Sequence, residues 1–316
     1  MSPPFSNAIA ATKHHLDTTM STEPPTPVWF ITAASSGFGF EIARAALERG
    51  HHVIATARDP AKLQDLEKNG AYTIAFDVTS SYSEIEKVAH HAVAKYGRVD
   101  YLINAAGYIL EGAVEEVTPD EAQQQFNVNV FGTTNTIRAF LPLIREQPLP
   151  GSGRPRATIA TFGSLGSWRG GASFSFYAMT KTCMSSLAES LRVELEPFEI
   201  AATVIEPGYF RTGFLKPGAK VSAEARIPAY EDEKTPSGQN RNALLAVNGN
   251  QPGDVKKGAD TTVDILTASG SAKGRQLPPR VVLGSDCEVT IRNKCQSTLE
   301  LLDSWGAIAR STDYEK

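Results

Sequence analysis

The sequence predicts a single α/β domain in three layers (αβα), a doubly wound parallel sheet covered by helices on both faces. Three observations predict it. Short β-branched runs alternate with longer amphipathic stretches from Val28 onward; most of the turns between them are a few residues long; and the residues able to do chemistry stand just after the strands. Strand–helix alternation on short connections implies parallel strands joined by right-handed crossovers. The ligand crevice of such a sheet lies beyond the carboxyl ends of its strands.

Each element can be justified in turn. VWFIT, a Gly/Ser turn and EIARAALERG read as strand, loop and helix; HVIATA is a second strand, and PAKLQDLEKNG a helix closed by Gly70. YTIAF, SEIEKVAHHAVAKYG and VDYLIN repeat the unit. Thr118 before Pro119 and Asp120 starts a long helix over 119–141, with a hydroxyl cap, proline near N1 and acids in the first turn. RATIATF, the helix over 175–196 and IAATVIEP follow. After Thr212 the regularity stops. The segment 213–250 is rich in Pro, Gly and polar residues, and its place after a strand end predicts a substrate lid. A helix (PGDVKKGADTTVDILTASG), a strand (RVVLG) and a closing helix (CEVTIRNKCQSTLELLDSW) complete a domain spanning 27–306, with 307–316 as a tail.

Composition narrows the function. Of 316 residues 41% are apolar, enough for a substantial core, and the net charge of -4 without a Lys/Arg block argues against nucleic acid or anionic membrane as partners. No apolar run is long enough for a membrane span. Residues 1–26 lack the apolar centre of a signal peptide and read as a disordered leader, with Met20 a second candidate start. Cys183, Cys287 and Cys295 show neither metal spacing nor an even count, so no metal is expected and a reducing, cytoplasmic location is.

The turn after the first strand is Thr32-Ala33-Ala34-Ser35-Ser36-Gly37-Phe38-Gly39. Small residues there let a backbone approach a pyrophosphate, while the following helix supplies free N–H groups and a positive dipole end. Taken alone, such a turn also fits any tight βα connection. The second strand ends at Ala57, where an NAD site would want an acid, and Arg58 follows. A guanidinium suits the 2′-phosphate of NADP, although a solvated loop charge is the commoner fate of a surface arginine. Asp77-Val78 closes the third strand, where a carboxylate can accept from an adenine amino group or form an Asx turn. Asn104-Ala105-Ala106-Gly107 closes the fourth and leaves room for a ribose.

Tyr177 and Lys181 lie one turn apart on one helix face. Tyr-x-x-x-Lys is worthless as a bare pattern, being equally an amphipathic helix face. Its value lies in conjunction with a strand-end Ser164 and the upstream turn. Free phenol has a pKa near ~10, and an ammonium beside it is expected to lower that value toward neutrality. Ser164 can hydrogen-bond the reacting oxygen, and Asn129 can kink its helix and hold a water behind Lys181.

These residues together resemble the short-chain dehydrogenase/reductase family, most closely its hydroxysteroid- and retinol-dehydrogenase-like branch, over roughly Val28 to Trp305. Thr32–Gly39 is similar to the family's TGxxxGxG, with Ala33 for the first glycine; a positive φ is costly for alanine, so an adjusted turn is expected there. Asn104–Gly107 is similar to NNAG, and Pro207-Gly208 with Thr212 to PGxxxT. The resemblance implies a Rossmann-type sheet, NADP(H), and Asn129, Ser164, Tyr177 and Lys181 as the catalytic set. It also implies that Lys181 binds the nicotinamide ribose, that Thr212 bonds the carboxamide, and that a homodimer or homotetramer would pair the helices 119–141 and 175–196. Tyr108, Ile109, Leu110, Leu165, Trp168, Tyr209 and Phe214 suggest a bulky apolar carbonyl or alcohol substrate such as a steroid, retinoid or polyketide; ordinary core packing explains any one of them equally well. The competing class is a non-redox dinucleotide binder, a sensor or a scaffold for a redox-neutral isomerisation.

Overall fold

The computed structural model describes residues 24–151, 153–216 and 218–314. The leader expected over 1–26 therefore lies outside the described residues up to position 23, as does the end of the tail at 315–316.

The chain runs β1 (Val28–Ile31), α1 (Gly37–Glu48), β2 (His52–Ala57), α2 (Gln64–Lys68), β3 (Tyr72–Ala75), α3 (Tyr82–Tyr96), β4 (Tyr101–Asn104), β5 (Ile109–Glu111), α4 (Pro119–Phe126), α5 (Thr133–Glu146), β6 (Ala157–Phe162), α6 (Ser175–Leu195), β7 (Ile200–Pro207), β8 (Lys220–Ser222), α7 (Pro228–Glu231), α8 (Pro236–Val247), α9 (Val255–Thr267), β9 (Arg280–Leu283) and α10 (Ser285–Arg310). Seven strands form one sheet in the order β3-β2-β1-β4-β6-β7-β9. Every pairing in it is parallel. The winding reverses between β1 and β4, which opens a crevice at their carboxyl ends.

Period-two alternation sorts the core. Trp29 and Ile31 of β1 face α1 and α9, where Ile42, Ala46, Ala259 and Val263 meet them. Val28 and Phe30 face α3, α5 and α6 through Ile85, Phe140 and Leu191. Burying each of the larger side chains stabilises the fold by roughly 1.5–3 kcal/mol. The layers are αβα.

Four boundaries differ from the sequence reading. The helix after β2 starts as a 3₁₀ turn capped by the Asp59 carboxylate; it closes, as expected, at Gly70, which holds φ 97° just past Asn69 and donates to the Glu67 carbonyl (2.9 Å). The long helix from Pro119 is interrupted around Asn129, where a kink was expected, by a π-helical turn, Asn127–Gly132, and runs on to Glu146, beyond the expected end at 141. The segment 213–250, expected to be irregular, contains β8, α7 and α8, the last capped by Thr235 with Pro236 at its start. The closing helix continues to Arg310, so no break separates the domain from a tail at 306.

Candidate active site

The glycine turn joins β1 to α1. Ala33 holds φ 51°, so the backbone keeps the left-handed shape at the position where the sequence led us to expect an adjusted turn. Two contacts hold it there. The Ala34 N–H donates to the Thr56 carbonyl (2.8 Å), and Gly39 packs so closely that a Cβ would lie 2.7 Å from the Ala33 oxygen. Gly37 has φ 58°, and a Cβ there would stand 3.8 Å from Thr212, which brings the segment after β7 over the turn. Thr32 lies beneath: its hydroxyl accepts from Ala105 N (2.9 Å) and Ala106 N (3.1 Å), tying β1 to the end of β4. Ser35 completes the turn, and Ser36 begins α1 without a side-chain cap, leaving the first N–H groups of the helix unspoken for by its hydroxyl.

Arg58 is exposed just beyond β2. Asp77 forms an Asx turn, accepting from Thr79 N (2.9 Å) and Thr79 Oγ1 (2.7 Å). Val78 packs against Gly132 in the π turn. Asn104 is buried at the end of β4; its Nδ2 donates to the Ala160 carbonyl (3.2 Å) while its Oδ1 has no partner among the described residues. A buried acceptor without a partner, near a turn so tight that a Cβ on Gly39 would strike the Ala33 backbone, fits the dinucleotide expected from the sequence.

Next to the turn is a cavity of about 220 Å³. Its wall includes Ser36, Gly37, Phe38, Gly39, Ala105, Gly107, Ser164, Tyr177, Lys181, Pro207, Gly208 and Thr212, together with Ile109, Leu165, Tyr209 and Phe214. Residues from four strand ends and one helix thus converge on one space. α6 presents Tyr177 and Lys181 because both lie on its buried face. Lys181 Nζ donates to the Phe162 carbonyl (2.9 Å), and Tyr177 and Ser164 face each other across the same cavity wall. Asn129 stands behind. Its Oδ1 accepts from Tyr108 N (3.1 Å), and its Nδ2 donates to the Tyr108 carbonyl (3.0 Å) and Thr180 Oγ1 (3.1 Å). The π turn is what aims this side chain at the 107–108 backbone instead of along the helix.

The electrostatics differ from the sequence expectation. Burial pushes the Tyr177 phenol well above its ordinary range, outweighing the opposite effect of Ser164. Burial also lowers the Lys181 amine to about 8. In the protein alone, desolvation governs both groups, not attraction between them.

Three expected substrate residues are not in the cavity wall. Ile109 faces the cavity, so Tyr108 and Leu110, its neighbours along the strand, point to the other face, into a cluster with Val117 and Ala223. Trp168 donates from Nε1 to Glu206 (2.9 Å) and stacks on the Arg280 guanidinium at 4.6 Å. Leu215 and Leu244 bring the segment expected to contact substrate, 213–250, into the wall, which also contains residues the sequence reading missed, among them Phe174, Phe210 and Gln251. Asp286, at the start of α10, was missed as well: its carboxylate accepts from Tyr209 N (2.7 Å) and covers Gly208 so closely that a Cβ there would lie 2.0 Å away.

Comparison with known proteins agrees with this geometry. The family model for short chain dehydrogenases matches residues 27–221. The chain belongs to the short-chain dehydrogenase family. This short-chain dehydrogenase is 32% identical to the oxidoreductase BOA17 of Botryotinia fuckeliana over 267 residues, 83% of this chain and 90% of the relative. It is 35% identical to a short-chain dehydrogenase from Streptomyces avermitilis of known crystal structure, with a TM-score of 0.79, covering 92% of this chain and 99% of that one. A short-chain dehydrogenase/reductase from Burkholderia phymatum, solved in complex with NAD, shares the fold at 23% identity (TM-score 0.67, covering 85% and 93%). The present chain is an oxidoreductase of that family. No helix among its described residues is long and apolar enough to cross a membrane.

Proposed function

We propose that this protein is an NADP(H)-dependent oxidoreductase that reduces a ketone or aldehyde of a bulky, largely apolar metabolite, or oxidises the matching alcohol. One observation carries the reading: Ser164, Tyr177 and Lys181 meet in a single cavity against the glycine turn, with Asn129 fixing the backbone behind them.

When bound, the dinucleotide supplies or accepts a hydride. The Ser36–Gly39 backbone would hold its pyrophosphate, Asn104, Ala105 and Gly107 the adenosine ribose, Lys181 the nicotinamide ribose and Thr212 the carboxamide. Arg58 would pair with a 2′-phosphate. The nearest acid, Asp59, caps the following helix by accepting from Ala61 N (3.1 Å), which supports NADP over NAD.

The Tyr177 phenol donates its proton to the carbonyl oxygen, and burial keeps that proton in place at neutral pH. Ser164 hydrogen-bonds the same oxygen. Lys181, protonated below about pH 8, stabilises the phenolate left behind. Phe174, Phe214, Leu215 and Leu244 exclude water from the reacting carbon and favour a bulky apolar group.

The test is NADPH consumption against a panel of multi-ring and small ketones, with products identified by mass. Ketone-dependent oxidation yielding the alcohol supports the reading; robust NADPH binding with no turnover across the panel removes it.

A further inference from the structure

Away from the glycine turn, a second group of charged side chains is buried. Glu111, at the end of β5, is 3% exposed, and Glu116 is 1% exposed. Neither lines the active-site cavity. Glu111 accepts from four side chains of the segment that follows β7: Lys220 Nζ (3.4 Å), Ser222 Oγ (3.0 Å), Arg226 Nη1 (3.1 Å) and Arg241 Nε (2.6 Å). Glu116 accepts from Ile227 N (3.1 Å), and its carboxylate is also paired with Arg241. Two carboxylates of the body therefore gather β8, the chain leading to α7, and α8.

The same elements build one wall of the cavity. β5 and β8 pair in parallel, Ile109 opposite Lys220. Ile109 N donates to the Ala219 carbonyl (3.2 Å), and both Ile109 and Ala219 face the cavity, as does Leu215. Leu244, on α8, lies three residues beyond Arg241, on the same side of that helix, and is buried in the cavity wall. α8 also touches the chain ahead of the catalytic helix, Asn240 Nδ2 donating to the Ala172 carbonyl (2.8 Å).

We infer that Glu111 is a positioning residue that sets substrate specificity: by binding Lys220, Ser222, Arg226 and Arg241 together, it fixes α8 and β8 so that Leu244 and Ala219 close the substrate wall. It acts through the wall and touches neither cofactor nor reacting atoms. Removing one partner of a buried ion pair leaves the remaining charges uncompensated, so the effect is structural and confined to the elements those charges hold. Burial pushes the Glu111 carboxyl up, and the bonds from Arg226, Arg241 and Ser222 outweigh it, leaving it at about 2; the carboxylate is charged wherever the enzyme works. The inference rests on reading this cavity as a ketone site.

The test uses the full chain and three variants, Glu111→Gln, Arg241→Gln and the charge-preserving Glu111→Asp. Two readouts are taken: hydrogen exchange over 213–250 in the protein alone, and kinetics with a multi-ring and a small ketone alongside NADPH affinity. Expected for Glu111→Gln are faster exchange in 220–247 and a KM for the multi-ring ketone raised about tenfold. Small-ketone kcat and NADPH affinity should stay within about twofold of wild type, and Glu111→Asp should recover part of the loss. Equal losses with both ketones, weakened NADPH binding, or no change at all would overturn the inference. If Glu111→Gln does not fold, Arg241→Gln carries the same test. If wild type turns over no ketone, the redox reading falls by itself; unchanged exchange over 220–247 then sinks the positioning claim separately, and faster exchange upholds it.

Discussion

Lys181 Nζ stands 5.6 Å from the centre of the Tyr177 ring while it donates a 2.9 Å hydrogen bond to the Phe162 carbonyl at the end of β6. The amine is thereby anchored to the sheet and held beside the phenol. Burial raises the phenol and lowers the amine, shifting each toward its neutral form in the protein alone, although the amine still carries its proton below about pH 8.

That burial makes the stability of the ligand-free protein depend on pH. The folded-state value of Lys181 lies below its ordinary 10.5, so the folded chain sheds this proton first. Between about 8 and 10.5 the unfolded chain holds more protons, and stability rises with pH through that window. Replacing the amine by an apolar side chain, Lys181→Met, should remove this rise, worth up to ~3 kcal/mol. Urea midpoints for both proteins across the window check it; a difference that does not change with pH contradicts it.

Ala33 keeps a left-handed backbone that alanine pays for in steric energy. Ala33→Gly relieves that strain but loosens the unfolded chain, so the net gain is about 1 kcal/mol. Thermal unfolding should show a rise in Tm of a few degrees. A lower Tm would mean that the alanine methyl makes a contact worth more than the strain.

Gly39 tests the cradle from the other side. A methyl there meets backbone, the Ala33 oxygen at 2.7 Å and Ala34 Cα at 3.2 Å, and backbone cannot swing aside like a side chain. Gly39→Ala should push α1 away from the turn and weaken NADPH binding by roughly tenfold, the equivalent of an overpacking penalty of 1–3 kcal/mol. Fluorescence titration with NADPH measures it. Unaltered affinity would show that the phosphates do not depend on this approach.

On the proposed reading, Arg58 selects NADP over NAD by pairing with the 2′-phosphate. Arg58→Ala should weaken NADPH roughly tenfold or more, the worth of a charge-assisted hydrogen bond, and leave NADH within about twofold. Parallel losses for both cofactors would show that the guanidinium serves the loop and not a 2′-phosphate.

Much of the molecule was legible because its signals are local. Val28–Ile31 and His52–Ala57 are β-branched and aromatic runs, and Thr118-Pro119 announces a helix by capping chemistry alone. Thr235-Pro236 carries the same signal for α8, but Gly238, Gln239, Asn240 and Asn242 blur the apolar period that would have drawn attention to it. Other features depend on partners far along the chain. Trp168 reads as a pocket aromatic until Glu206 and Arg280 are placed beside it. Tyr108 and Leu110 could have been set aside from alternation, since only every second residue of a strand shares a face with Ile109. Asn129 marks a kink in the long helix, but the π turn at Asn127–Gly132 could not be read locally, because the partners it brings within reach of Asn129, Tyr108 and Thr180, lie 21 and 51 residues away.

The most direct test of the central claim compares wild type with Tyr177→Phe in NADPH oxidation driven by a multi-ring ketone, with NADPH affinity measured on both. Removing one phenolic oxygen should lower kcat by about 10²–10⁴-fold and leave cofactor affinity within about twofold, because only the proton donor is lost. Turnover of the phenylalanine variant at the wild-type rate would contradict the assignment of Tyr177 as the proton donor.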